Sequence, residues 1–163
     1  MARDDIRPWR SPTGGEEILS FPVTAAQSFL RGEPVALIAA GTLSIAGSDP
    51  ASIEGIAAHQ ATDRQGTALA VGSRVAVTGT PDTQVWRCDN FATDGSGTAA
   101  TPTQANAQGE LAGLVLNGSD WYVDTGAGNL LVVIDDVLDE NGNIISDIRT
   151  LFGTATSVLF RFV

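Results

Sequence analysis

Residues 111–124 read LAGLVLNGSDWYVD, and this stretch decides the fold class. Leu111–Leu116 is a short apolar run. Asn117-Gly118 is the strongest local signal for a β-hairpin, because a two-residue turn needs a backbone of positive φ that asparagine and glycine adopt cheaply. Ser119–Asp124 then resumes with Trp121, Tyr122 and Val123, side chains that fit a pleated surface. Two strands joined so tightly are antiparallel neighbours.

The same pattern continues outward. Downstream, Asn129–Val137 and Asn143–Leu151 flank a second turn at Asn141-Gly142. The chain closes on Ser157–Val163, where Val158, Phe160 and Phe162 share one face. Upstream, Gln84–Cys88, Arg74–Thr78, Ile53–Ala58, Thr42–Ala46, Pro34–Ala39 and Leu19–Thr24 read as further short strands. Asp63, Arg64 and Gly66 mark a polar turn between two of them. Thr24–Arg31 reads alternatively as a short helix capped by Thr24 and ended by Gly32. Asp49-Pro50 reads as a cap with proline at the first helical position. Residues 92–109, ATDGSGTAATPTQANAQG, lack periodicity and predict a long, flexible surface loop. The sum is an all-β domain, a compact sandwich or barrel, spanning residues 21–163. Trp86-x-x-Asp89 and Trp121-x-x-Asp124 resemble each other, but four residues do not make a repeat.

With 163 residues, 43% of them hydrophobic and 17% charged, the chain is long enough to bury a core. All nine basic residues are arginine, and against 19 acids they leave a net charge of −10. Such a surface repels phosphate backbones, so no nucleic-acid partner is expected. Without lysine there is no Walker-A phosphate contact, Schiff base or lysine general base. The apolar runs near Val35–Ala40 and Leu130–Ile134 are too short to span a bilayer, so no membrane partner is expected either. Cys88, alone, makes no internal disulfide. The start, MARDDIRPWR, has no apolar signal region, so synthesis in the cytoplasm is the expectation.

Residues 1–20 stand apart. Arg3, Arg7, Pro8, Trp9 and Arg10 precede Pro12 and Gly14-Gly15, which break regular structure. The expectation is an extended, mildly basic N-terminal arm that gains order against another protein, with Trp9 as anchor and Arg3, Arg7 and Arg10 as partners for carboxylates.

Candidate chemistry is sparse. One cysteine and one histidine do not supply a zinc cluster. His59 could pair with Asp49 or Asp63 and a serine as a triad, but there is no nucleophile elbow, and a solvated edge histidine is the simpler reading. Cys88, on the strand of Trp86, reads as a small buried thiol. Asp135, Asp136, Asp139, Glu140 and Asp147 cluster around a turn and could hold a cation through oxygen ligands. The EF-hand register would put glycine where Ile144 stands, so a solvated hairpin is expected instead. A glycosidase needs a cleft with stacking aromatics, and ten aromatic residues are few for one. Asn117-Gly118-Ser119 matches a glycosylation sequon but reads as the turn. The expectation is no catalytic residue, metal or cofactor, and no enzyme.

The segment Phe29-Leu30-Arg31-Gly32-Glu33-Pro34-Val35-Ala36-Leu37 resembles the opening of a family of bacteriophage head decoration proteins. Its strand beginning "G-x-P/A-V" is followed there by a hairpin, an aspartate-led turn and "I-x-G-I/V-A". Here those are Thr42–Ile45, Asp49-Pro50 and Ile53-Glu54-Gly55-Ile56-Ala57, with Gly72 and Val75-Ala76-Val77 matching a later strand. The likeness covers residues 29–78 and, more loosely, Leu111–Val133. It implies a β-tulip domain that coats the outer surface of an icosahedral head, forms homotrimers, and sends its N-terminal arm onto the major capsid protein. The long loop at 92–109 and the acidic hairpin depart from the family pattern. A second class of function is a β-sandwich module of a phage fibre that binds a ligand or carbohydrate. That reading requires exposed aromatics, for which Trp86 and Trp121 are the candidates.

Overall fold

A computed structural model describes residues 5–10, 18–81, 83–145 and 155–163, Arg10 by its backbone alone. The strands are β1 (Ile6–Arg10), β2 (Ile18–Pro22), β3 (Pro34–Leu37), β4 (Leu43–Ile45), β5 (Gly55–Ala57), β6 (Arg74–Thr78), β7 (Val85–Cys88), β8 (Phe91–Ala92), β9 (Leu111–Asn117), β10 (Asp120–Asp124), β11 (Val132–Asp139) and β12 (Ala155–Phe162). They form two sheets packed as a β-sandwich-like, all-β domain. The larger runs β1-β7-β12-β11-β9-β10-β8 and the smaller β2-β6-β5-β3-β4. Every pairing is antiparallel except β10 with β8.

The smaller sheet rolls up on itself. A parallel bridge joins Val23, just past β2, to Leu43 on β4, and the Thr24 amide donates to the Leu43 carbonyl at 3.1 Å. These contacts link the end of β2 to the start of β4, the two outer strands, at a single bridge. Val23, Phe29, Val35, Leu43, Ala57, Ala61, Val75 and Val77 fill the interior. Successive residues of a strand point to opposite faces. On β5 this sends Ala57 into the rolled sheet and Ile56 into the second, larger core.

That larger core lies on the inner face of the seven-stranded sheet. Val158, Phe160 and Phe162 all face into it, as the alternation predicts. Phe162 meets Trp86 edge-on, with ring centroids 5.9 Å apart and an interplanar angle of 87°. Burying each such side chain stabilises the fold by about 2–3 kcal/mol. Trp86 and Trp121 are both fully buried here.

The hairpin at 111–124 forms in the register Asn117↔Asp120. Its two loop residues are Gly118 and Ser119, with Gly118 at φ +61°. The second hairpin also forms, with the Asp139 amide donating to the Asn143 carbonyl at 3.0 Å. Of the strand expected at Asn143–Leu151, Ile144 makes one bridge, to Leu138, and residues 146–151 lie outside the described residues.

Three expectations are corrected. Residues 24–31 form no helix. The chain turns at Ala25-Ala26, with Ala26 at φ +56°, and Gln27 Oε1 accepts the Ile45 amide at 3.0 Å. Asp49 caps no helix either. Its carboxylate accepts the amides of Gly128 at 3.1 Å and Asn129 at 2.9 Å, so it clamps the chain between the sheets to a distant loop. Nor does the leading segment lack a partner in its own domain: β1 pairs with β7 and β2 with β6.

Candidate functional site

Of the four residues expected to make contact, Arg3 lies outside the described residues and Arg10 is described by its backbone alone. The other two are placed by β1 at the edge of the larger sheet. Ile6 points inward and is buried in the main core. Arg7 faces out, and its guanidinium meets Asp89 at 2.8 Å. Arg87, opposite Arg7 in the register, also holds Asp89, at 2.7 Å. The register shifts between Pro8 and Arg10 and places Trp9 against Arg87, whose guanidinium carbon lies 5.6 Å from the ring centroid. Trp9 remains 41% exposed. It is the most exposed large aromatic side chain among the described residues.

Pro8 supplies no amide, and the irregularity beside it interrupts the strand. Both features blunt an edge against the addition of a further strand. What β1 offers a partner is therefore its outer face. Beside Trp9 a groove of about 260 Å³ opens between Val85, Leu159, Ile144, Asp135, Asp136 and Arg161. Arg161 grips Asp135 with two bonds, at 2.8 and 2.9 Å. Desolvation and then the neighbouring charge of Asp135 push the Asp136 carboxyl above its ordinary range.

The acidic hairpin holds itself together. Asp139 Oδ1 accepts the amides of Asn141 and Asn143, each at 2.8 Å. The Asn143 amide is the main reason its carboxyl is held below the usual range. Glu140 is exposed, and Asp147 lies outside the described residues.

His59 is exposed, while Asp49 and Asp63 spend their carboxylates on backbone amides at 128–129 and at 65 and 67. The Cys88 thiol is buried, and desolvation raises its pKa to about 12. It donates to the Asn90 carbonyl at 3.2 Å and does not behave as a nucleophile at neutral pH.

Sequence reasoning missed Asp124. This fully buried carboxylate accepts the amides of Gly95, Gly97 and Gly126 at 3.0, 3.1 and 2.8 Å. It pins the start of the loop expected to be flexible. Asp94 adds a second bracket, its Oδ1 accepting the Ser96 and Thr98 amides. Further along, Thr103 and Asn106 bond each other, and Ala107 is buried. The only available signal was the alternation of glycine with small polar residues in DGSGT. Asp89 and Asp124, matched in the two Trp-x-x-Asp segments, do different work: one is a surface ion-pair acceptor, the other a buried bracket.

Trp86 and Trp121 offer no stacking platform, because neither ring reaches the surface. Fold and site together define an all-β, two-sheet domain with a Trp9-Arg87 face beside a shallow acidic groove. No protein-family model, curated protein or solved structure matches the chain.

Proposed function

We propose that this chain is a structural virion protein that binds the outer surface of an icosahedral phage head and stabilises the lattice of the major capsid protein. One observation carries the reading. The segment that resembles head decoration proteins, residues 29–78, coincides with β3, β4, β5, β6 and the core residue Phe29, most of the rolled sheet and its interior. The likeness thus falls on a structural unit with its own packing. That unit would be the β-tulip part of the fold.

Support also comes from what the polar groups do. Cys88, Asp49, Asp63, Asp124 and Asp139 are each committed to holding the backbone, as befits a rigid scaffold. Its partners are the major capsid protein and further copies of itself. The capsid contact is assigned to the outer face of β1 and β7, with Trp9 as anchor and Arg7 and Arg87 beside it. Tryptophan and arginine are the residues that most often dominate interface energy.

The mechanism is mass action. A protein that binds the assembled lattice and not its separated subunits stabilises the lattice by RT ln(1 + [L]/Kd), about 2.7 kcal/mol per site at a hundredfold excess over Kd. Many copies on one shell multiply that effect. The test is the temperature at which expanded heads lacking their decoration fall apart, with and without the added chain. A rise that saturates with chain concentration supports the reading, and no rise at saturation contradicts it.

A further inference from the structure

Three exposed Asp or Asn residues precede a glycine: Asp94-Gly95, Asn117-Gly118 and Asn141-Gly142. At such a step the backbone can cyclise onto its own side chain, because glycine leaves the following amide nitrogen uncrowded. Whether it does depends on how firmly the side chain and its turn are held.

Two of the three are held. Asp94 Oδ1 accepts the Ser96 and Thr98 amides at 2.9 and 3.2 Å, and its Oδ2 accepts the Ser96 hydroxyl at 2.6 Å. Asn117 Nδ2 donates to the Gly97 carbonyl at 3.1 Å, and Asn117 itself is paired at the end of the β9–β10 ladder. Asn141 differs on both counts. Among the described residues its side-chain amide makes no hydrogen bond. Its turn is closed by the Gly142 amide donating to the Asp139 carbonyl at 3.0 Å, and beyond Asn143 by an isolated bridge between Leu138 and Ile144. Exposed turn bonds with so little ladder behind them open locally at small cost.

We propose that Asn141 is a site of spontaneous deamidation, and that the conversion loosens the turn from the Trp9-Arg87 face. When the turn opens, the deprotonated Gly142 nitrogen attacks Cγ of Asn141. A C–N bond forms, the side-chain nitrogen leaves as ammonia, and a five-membered succinimide results. Water then adds to either ring carbonyl. Opening at the α-carbonyl gives isoaspartate, with the main chain rerouted through the side chain, and opening at the other gives aspartate. No oxidant or cofactor is required, and the rate rises with pH because the attacking nitrogen must lose its proton.

The position of the turn gives the reaction a consequence. A methyl group placed on Gly142 would sit 3.4 Å from an Arg87 guanidinium nitrogen and 3.7 Å from the Trp9 ring, so this glycine lies against both. Isoaspartate lengthens the backbone just before it and offsets the Asn143 amide from its acceptor, Asp139 Oδ1. Either product also adds a negative charge beside Asp139 and Glu140, whose like charges oppose the closed turn. The site stands independently of head binding.

Peptide mapping by mass spectrometry, after incubation of the full chain at mildly alkaline pH with and without denaturant, tests the proposal. The unfolded chain supplies the reference rate for each step. The expected result is that native conversion at Asn141 stays close to its unfolded rate, while conversion at Asn117 is slowed roughly tenfold or more by folding. Folding that slows Asn141 as much as Asn117 overturns the proposal, as does native conversion that is faster at Asn117. The second half is read by acrylamide quenching, since Trp86 and Trp121 are buried and Trp9 is the ring that solvent reaches. The converted chain, separated by anion exchange, should quench more strongly than the parent, and an Asn141→Gln chain incubated alongside should not change. Equal quenching of parent and converted chains removes the link to Trp9.

Discussion

The guanidinium of Arg87 lies 5.6 Å from the centre of the Trp9 ring, and its Nε also meets Asp89, the carboxylate that holds Arg7. Residues of the leading segment are thus held by the domain they precede. A cation over an exposed ring contributes about 0.5–1 kcal/mol. Trp9→Ala is expected to lower folding stability by about 1 kcal/mol in urea denaturation. Unchanged stability would mean that the stack does not form in solution.

Ile6 ties the same strand to the main core, with 1% of its surface exposed. Ile6→Ala is expected to cost about 3 kcal/mol, the usual range for emptying a buried isoleucine site. Deleting residues 1–10 should be at least as damaging, since it also uncovers the β7 edge. Thermal melts of both variants check this. A truncated chain as stable as the parent would restore the picture of a free arm.

Asp124→Asn places a donor group among three amides that already point at the carboxylate. Loss of these charge-assisted bonds in a buried site is expected to cost about 3 kcal/mol. Amide exchange should quicken at Gly95, Gly97 and Gly126 before it does on β11 or β12. A variant with parental exchange at those glycines would contradict the bracket.

Burial raises the Cys88 pKa from 9.0 to about 12. The folded chain keeps that proton more tightly than the unfolded one does. Its contribution to stability is therefore fully present below the unfolded value and is lost as pH rises from about 9 towards 12. At mildly alkaline pH the native thiol should resist a disulfide reagent that reacts promptly in denaturant. Equal rates in both states would place the thiol at the surface.

Local features of the fold were legible in the sequence. Arg74–Thr78 forms the expected strand, and the turns at Gly118 and Gly142 fall where glycine announced them, because strand alternation and turn chemistry are written within a few residues. Pairings distant along the chain were not. Nothing near Val23 reveals that it bridges Leu43, or that β1 lies against β7. Asp49 looked like a cap because an aspartate before proline usually serves its own next turn. Here its acceptors were claimed by amides of residues 128 and 129, beyond the reach of any sequence window. The site was legible only in part: Trp9 and Arg7 stood out by type, but their partners Arg87 and Asp89 belong to another strand.

The proposed role turns on adhesion to a viral shell. Co-sedimentation of the purified chain with expanded, undecorated phage heads measures this directly. The account predicts saturable binding at a fixed number of copies per capsid hexamer, weakened by Trp9→Ala beyond any effect on folding. A chain that stays in the supernatant at every concentration, while fully folded, would contradict it.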